Sequence, residues 1–289
     1  MTSGAVQRYA EQHDIPYRLV NRQSLHSIDP GQLSADLLVA VSFGLFIPPI
    51  IIRGVPYSVN VHPSLLPKYR GPAPIHNALF NGDKQTGVSL QTISPDAFDK
   101  GIIFDQSTPV SIGEDQTLKE LWEQLAQVGA DMLVNCIRHR KYMNPKPVET
   151  LAESSYARPI NKTIDWHTVT ADQAVRLGRM FDPLTGAITL VDGRRKDIVV
   201  SGIHHRRMNE NKLGPGSYYL ARYAKTGDKK MVVVCEDKAT VWVDRVKVSG
   251  RGWISGEDFV ASSKERFWGS RFVPWRREFE DHDPKEFEY

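Results

Sequence analysis

The sequence predicts a mixed α/β unit followed by a small all-β unit, and three observations carry that expectation. Between residues 37 and 142, apolar runs of strand length alternate with helical patterns, the order of a layered α/β structure. Between residues 187 and 248, short strand patterns follow one another with no long helix among them, as in a small barrel or sandwich. Residues 144–160 (NPKPVETLAESSYARPI) are proline-bearing and irregular, the composition of a linker. A chain of 289 residues can bury two cores. The expected division is 1–143, a linker at 144–160, a second unit at 161–277 and an acidic tail at 278–289.

In order, residues 3–13 read as a helix, 16–20 as a short strand and 24–34 as a polar turn. Residues 37–43 (LLVAVSF) are a continuous apolar run, the pattern of a strand covered on both faces. Gly44 ends it, and a loop with Pro48 and Pro49 follows, where backbone can approach a ligand. Residues 74–80 read as a helix with proline in its first turn. Residues 86–93 alternate like a strand, and 102–110 return antiparallel because the loop between them is too short for a crossover helix. Residues 117–142 form an amphipathic pattern with Leu118, Leu121, Trp122, Leu125, Val128, Met132 and Leu133 at helical spacing. A helix over 170–181 follows, then strands at 187–191, 196–204, 217–223, 230–236 and 239–248, and a last helix at 256–267.

The chain is organised around residues 59–67 (VNVHPSLLP). Alternation along a strand packs Val59 and Val61 on one face and projects Asn60 and His62 from the other. Pro63 and Pro67 stop the strand just after His62, which leaves an amide and an imidazole at a strand's carboxyl end, where open α/β sheets place ligands. Spacing alone leaves open a histidine that is simply half-buried and satisfied.

Net charge is +3, unevenly spread: residues 158–277 hold 23 Lys/Arg against 13 Asp/Glu, and residues 278–289 one Lys against six acids. A basic second half suggests a polyanionic partner, although a merely solvated surface has the same composition. Cys136 and Cys235 sit in apolar runs and read as reduced core residues with no zinc spacing. No apolar run is long enough to span a membrane, and the first residues show neither a secretory nor a conspicuous transit segment.

An amide, an imidazole and a carboxylate at strand ends make a kit for acyl transfer. An amine attacking a carbonyl builds an oxyanion and an ammonium together, so the site must donate to the first and take a proton from the second. Asn60 donates without titrating. His62 either donates to the oxyanion or handles the proton, and Asp99, in the glycine-closed loop at 94–101, would orient the ring. No serine or cysteine sits in a nucleophile motif, so direct transfer fits better than a covalent enzyme intermediate.

The Asn60-x-His62-Pro63-Ser64-Leu65-Leu66-Pro67 signature, Arg70-Gly71, the Gly82-Asp83…Thr86-Gly87-Val88 stretch and Asp99-Lys100-Gly101 resemble the formyltetrahydrofolate-dependent formyltransferases. Ile164-Asp165-Trp166 and the strands beyond are similar to the second domain of the branch that formylates methionyl-tRNA. The resemblance implies a Rossmann-like catalytic domain joined to an OB-like β-barrel. It implies transfer of a formyl group from 10-formyltetrahydrofolate, without a metal, to the amino group of initiator methionyl-tRNA. Asn60, His62 and Asp99 would be catalytic. Phe43, Gly44, Leu45, Phe46 and Ile47, with Ser94, Pro95 and Asp96, would hold the folate. Ser64, Leu65, Leu66, Pro67 and Arg70 are expected to meet the acceptor, and Arg206 and Arg207 the RNA. Lys100 departs from the small residue usual in that loop. Family members open with a strand, a helix and a second strand before the helix found here at 3–13, so an N-terminally incomplete catalytic domain is expected. Rival readings are a sugar-nucleotide formyltransferase, a formyltetrahydrofolate hydrolase module, or an inactive tRNA-binding protein. The expected protein is a monomer of the mitochondrial matrix, or of the cytoplasm if bacterial.

Overall fold

Asn21 and Ser24 cap each other, so the short helix α2 (Arg22–His26) forms inside what reads as a turn. The computed structural model describes residues 5–272 apart from 30, 32, 151–152, 191–194 and 223–226. The side chain of Arg207 and the acidic tail at 278–289 lie outside the described residues. Helix α1 (Ala5–Gln12) precedes α2, and residues 16–20, expected as a strand, pair with no strand among the described residues.

A four-stranded sheet of order β1-β2-β4-β5 then carries the first half of the chain: β1 (Leu37–Val41), β2 (Tyr57–His62), β4 (Ser89–Gln91) and β5 (Ile103–Gln106). Strand β1 runs parallel to β2, whereas β4 is antiparallel to both β2 and β5, as the short loop between β4 and β5 requires. Helix α3 (Pro49–Arg53) connects β1 to β2, and α4 (Pro74–Asn81), with proline in its first turn, leads away from β2. The run expected as one strand over 86–93 is divided. Gly87 interrupts it, where a Cβ would lie 2.6 Å from Leu65 and 2.7 Å from Ser107. Its two parts pair differently, β3 (Gln85–Thr86) with β6 (Val110–Ser111) and β4 with the main sheet. Strand β1 corrects another expectation. Only Ala40 of its five residues is buried, Leu37, Leu38 and Val39 are half-buried and Val41 is 54% exposed, so the strand is not covered on both faces; among the described residues it also lies at the edge of the sheet.

Helix α5 (Leu118–Arg138) packs across this sheet. Thr117 and Glu120 form a reciprocal capping box that fixes its start. Leu121 and Leu125 are buried with Val59, Val61, Val88 and Leu90, and Gly129 lets the helix approach β2, since a Cβ there would meet Val61 at 3.0 Å. Trp122, placed by periodicity in the core stripe, is instead half exposed.

The second unit begins with helix α6 (Ala171–Phe181), capped by Thr170 and Gln173 in the same manner. Its sheet comprises β7 (Leu184–Leu190), β8 (Arg195–Asn209), β9 (Tyr218–Arg222), β10 (Lys229–Val234), β11 (Ala239–Val248), β12 (Trp253–Ser255) and β13 (Phe267–Phe272). The order is β13-β7-β8-β11-β10-β9, with β12 on β11; all of its strand pairs are antiparallel. Among the described residues no ladder joins β13 to β9, so the hydrogen-bonded path is open. Helix α7 (Gly256–Arg266) sets Phe259 against Tyr218 inside this second core. Cys136 and Cys235 are buried and free, one in each core.

The two cores meet at α4 and α6. Met180 of α6 is buried in the first core, and Phe80, Ile160 and Phe181 pack against both. Arg176 donates to the Phe80 carbonyl at the end of α4, lying where a Cβ on Gly82 would fall, 2.4 Å away. No helix among the described residues is long and apolar enough to cross a membrane.

Candidate active site

Strand β2 delivers Asn60 and His62 to one face, and both meet Asp99. Asn60 Nδ2 donates to Asp99 Oδ1 at 2.9 Å, and His62 Nδ1 lies 3.4 Å from the same oxygen. His62 Nε2 is 2.8 Å from the backbone oxygen of Tyr69, an acceptor only, so the neutral ring carries its proton on Nε2 and turns Nδ1 toward the carboxylate. Tyr69 can present that carbonyl because it takes a left-handed φ of 60° and is held by Asn81 on its hydroxyl and Ser155 Oγ on its N–H. Burial pushes the Tyr69 phenol up from its ordinary range.

Asp99 is itself clamped. The loop places it at φ 52°, and Gly101 makes the turn possible, because a Cβ there would fall 1.7 Å from the Thr92 carbonyl oxygen. The carboxylate accepts from Gln91 Nε2 at 2.8 Å on Oδ1 and from the Gly71 N–H at 2.7 Å on Oδ2, while Arg70 Nε donates to the Asp99 carbonyl at 2.9 Å. Gln91 is 1% exposed, and its Oε1 is buried with no partner among the described residues. Sequence reasoning missed Gln91. The strand pattern placed it, but only the antiparallel register of Asn60 opposite Gln91 shows that it reaches the same carboxylate.

These groups open onto a cavity of about 890 Å³. Of the residues expected to hold folate, Phe43, Gly44, Leu45, Phe46, Ile47 and Ser94 line it. Pro95 and Asp96 do not. Phe46 and Phe98 stand edge to face at 5.3 Å across this end, and the backbone of residues 44–47 makes no hydrogen bond to the rest of the described chain. That combination suits a large planar ring with polar edges. His76, Trp122 and Tyr156 also line the cavity and were not expected there.

The expected acceptor contacts divide differently. Ser64, Leu65, Leu66 and Pro67 do not line the cavity. Ser64 and Leu66 are 1% and 0% exposed; Ser64 Oγ donates to the Lys68 carbonyl, and Ser89 Oγ accepts from the Leu66 N–H. This segment is a buried turn that braces the end of β2. Arg70 is engaged with Asp99 and with Ser154 Oγ at 2.7 Å, so it positions the loop. Arg206 lies in the second unit, donating to Tyr219 Oη at 2.7 Å and Thr240 Oγ1 at 3.2 Å, with its guanidinium over the rings of Tyr219 and Trp242. Those contacts give it a packing role that charge counting does not reveal. Among the described residues no His, Cys, Asp and Glu side chains group as a metal site would need.

Residues 3–137 match the formyl transferase family, and residues 158–264 match the formyl transferase C-terminal domain. The chain belongs to the formyl transferase family. It is 31% identical over 277 residues to the mitochondrial methionyl-tRNA formyltransferase of Saccharomyces cerevisiae, covering 85% of this chain and 69% of that one. It is 29% identical over 263 residues to the methionyl-tRNA formyltransferase of Streptococcus pyogenes, covering 88% and 79%. Among solved structures, HypX from Aquifex aeolicus in complex with tetrahydrofolic acid superposes with a TM-score of 0.52 at 16% identity, over 84% of this chain. The chain spans only 41% of HypX. The sugar 3N-formyl transferase WlaRD superposes with a TM-score of 0.50 at 16% identity, over 86% and 82%. At those identities the two structures share this fold, and the membership rests on the sequence matches.

Proposed function

We propose that this formyl transferase moves a formyl group from 10-formyltetrahydrofolate to the amino group of initiator methionyl-tRNA. One observation carries the reading: Asn60, Gln91, Gly71 and His62 converge on the Asp99 carboxylate at the wall of a cavity whose other end is apolar and aromatic. The acceptor class follows from relatives named methionyl-tRNA formyltransferase that align over 85–88% of the chain. When bound, the folate supplies an acyl carbon activated by its attachment to an aromatic amine nitrogen. The segment 43–47 and Ser94, with Phe98, would hold its ring end, and Asn60 would face its formyl oxygen.

Each residue's task follows from its free atoms. Asn60 spends one amide hydrogen on Asp99 and keeps the other for the oxygen that gains charge. His62 Nδ1 would take the proton that the attacking amine must lose, directly or through one water, and would return it to the nitrogen released when the formyl C–N bond breaks. The resulting cation is met by Tyr69 O on one side and Asp99 Oδ1 on the other. The Asp99 carboxylate, held by three donors, fixes the position of both neighbours.

The catalytic unit is assigned to 1–143, the linker to 144–160 and the RNA-facing unit to 161–277. We read the second unit as an OB-like barrel acting on one tRNA as a monomer. The yeast relative's compartment favours the mitochondrial matrix. The test is transfer of labelled formyl from 10-formyltetrahydrofolate to charged initiator tRNA, beside an amino-sugar nucleotide. Formylation of the sugar alone, or folate binding with no transfer to either, would overturn the reading.

A further inference from the structure

The segment joining the two units is built into the active site. The Arg70 N–H donates to Ser155 O, the Ala157 N–H to Arg70 O and the Ser155 N–H to Pro67 O, so residues 155–157 run as an added strand along residues 67–70. This fixes Tyr156 over Gly71. A Cβ on Gly71, which takes φ 100°, would fall 2.6 Å from Tyr156 Cε2 and 2.7 Å from Cζ. The Gly71 N–H is the group bonded to Asp99 Oδ2. The phenol ring therefore packs against the backbone that holds the catalytic carboxylate. The ring is 52% exposed, lines the cavity, and has no side chain stacked on it and no hydrogen bond from its hydroxyl among the described residues.

The carboxylate divides the cavity. Oδ1 faces Asn60, Gln91 and His62; Oδ2 faces Gly71 and, through it, Tyr156. Tyr156 comes from the linker and rests on Gly71, in the segment that follows β2, whereas the residues assigned to the folate come from the loops after β1 and β4; that leaves the ring for the acceptor. An exposed, backbone-anchored aromatic at a cavity rim is poorly suited to a short aliphatic side chain, which gains most from full burial. It is well suited to a planar base, which gains from one clean ring face. In an aminoacyl-tRNA the amine, its α-carbon and the ester join directly to the terminal ribose. A base beside Asp99 is therefore within a few bonds of the reacting nitrogen.

We propose that Tyr156 is the stacking platform for the terminal nucleoside of the aminoacylated acceptor, an inference that rests on the methionyl-tRNA reading above. The platform comes from the linker, so the aminoacyl end is read where the two units join. Gly71 is required there because any side chain would displace the ring, and Arg70 holds the linker strand against the site through Ser154.

The full chain, saturated with 5-formyltetrahydrofolate, is titrated calorimetrically with 3′-deoxy-3′-(methionylamino)adenosine, a stable amide of the acceptor end, and separately with methioninamide. Wild type, Tyr156→Ala and Tyr156→Phe are compared. The expected result is that Tyr156→Ala weakens the adenosine compound by about 5- to 150-fold, the range for loss of one stacked base. Tyr156→Phe should stay within about threefold, and folate and methioninamide should be unaffected by either change. Unchanged affinity for the adenosine compound in Tyr156→Ala overturns the platform, as does equal weakening of methioninamide, which would put the amino acid on the ring. Weakened folate binding would place the ring on the donor side and overturns it too. Failure of the wild type to bind either acceptor compound while binding folate would instead remove the methionyl-tRNA reading, and this inference with it.

Discussion

Replacing Asp99 by asparagine tests the organisation of the site most severely, because the two side chains have nearly the same shape. Three N–H donors point at the carboxylate: Asn60 Nδ2 at 2.9 Å and Gln91 Nε2 at 2.8 Å on Oδ1, and the Gly71 N–H at 2.7 Å on Oδ2. Asparagine keeps one oxygen. Turned toward Asn60 and Gln91, it sets its own NH₂ against the Gly71 N–H; turned the other way, it opposes both amides. One or two charge-assisted bonds are lost in either orientation, each worth roughly 1.5–3 kcal/mol, in a side chain only 8% exposed. The lower end, one bond lost toward Gly71, predicts a destabilisation of about 1.5–3 kcal/mol by urea unfolding of the full chain. His62 also loses the charge that meets its cation, so transfer to methionyl-tRNA should fall by about 10²- to 10⁴-fold. Folate affinity, measured by titration, should change little because the ring-holding segments are separate. A variant that is as stable and as active as the wild type would refute the clamp and the proton assignment together.

Other perturbations separate structural from functional roles. Arg206→Ala should destabilise the second unit by about 1–3 kcal/mol in thermal or urea unfolding, since two ring contacts and two hydrogen bonds go with it. Its salt dependence of tRNA binding should stay parallel to that of the wild type; a flattened slope with unchanged stability would return Arg206 to the RNA surface. Leu121→Ala, at a fully buried position under the sheet, should cost about 2–5 kcal/mol in chemical denaturation, and a cost well under 1 would mean that α5 does not seal the first core. Burial holds the His76 imidazole below its ordinary value while it stacks on Phe181. A depressed folded value means that its neutral form is favoured in the fold. The contribution is therefore present above the unfolded value near 6.5 and lost as pH falls through it toward the folded value. Melting temperature should accordingly drop less between pH 7.5 and 5 in His76→Phe than in the wild type, and identical pH profiles would contradict this.

The central strand was legible because β alternation, two prolines and the Asn-x-His pair all point to one geometry, and β2 ends at His62. Helices α5 and α6 were legible for a similar reason: Thr117 and Thr170 are caps, with Glu120 and Gln173 returning the bond. Three features were not. Strand β1 carries a run as apolar as a covered strand, but coverage of its faces depends on what packs over them, which no local pattern encodes. Gly87 looked like an ordinary position in an alternating run until Leu65 and Ser107 were found to press on it. Gln91 reaches Asp99 through sheet register and Tyr156 reaches Gly71 through linker pairing, contacts separated by 8 and 85 residues along the chain that no local motif encodes.

The second unit grips the first at the segment that follows His62. Residues 67–71 carry the added strand from the linker, and α4, beginning three residues later, ends under Arg176 of α6. The orphan carbonyls at a helix C-terminus attract a cation, and here the cation comes from the other unit. The same segment supplies the Tyr69 carbonyl to His62 and the Gly71 N–H to Asp99, so its backbone position sets both catalytic neighbours. Docking of the two units and geometry of the site are therefore one mechanical problem. Arg176→Ala would free the Phe80 carbonyl and leave a void beside Gly82, far from any reacting atom. It should lower transfer to methionyl-tRNA while leaving folate binding intact. A double variant with Ser154→Ala, which releases Arg70 from the linker, should show less than additive losses if both act through residues 67–82. Strictly additive losses would mean that the two contacts report to the site separately.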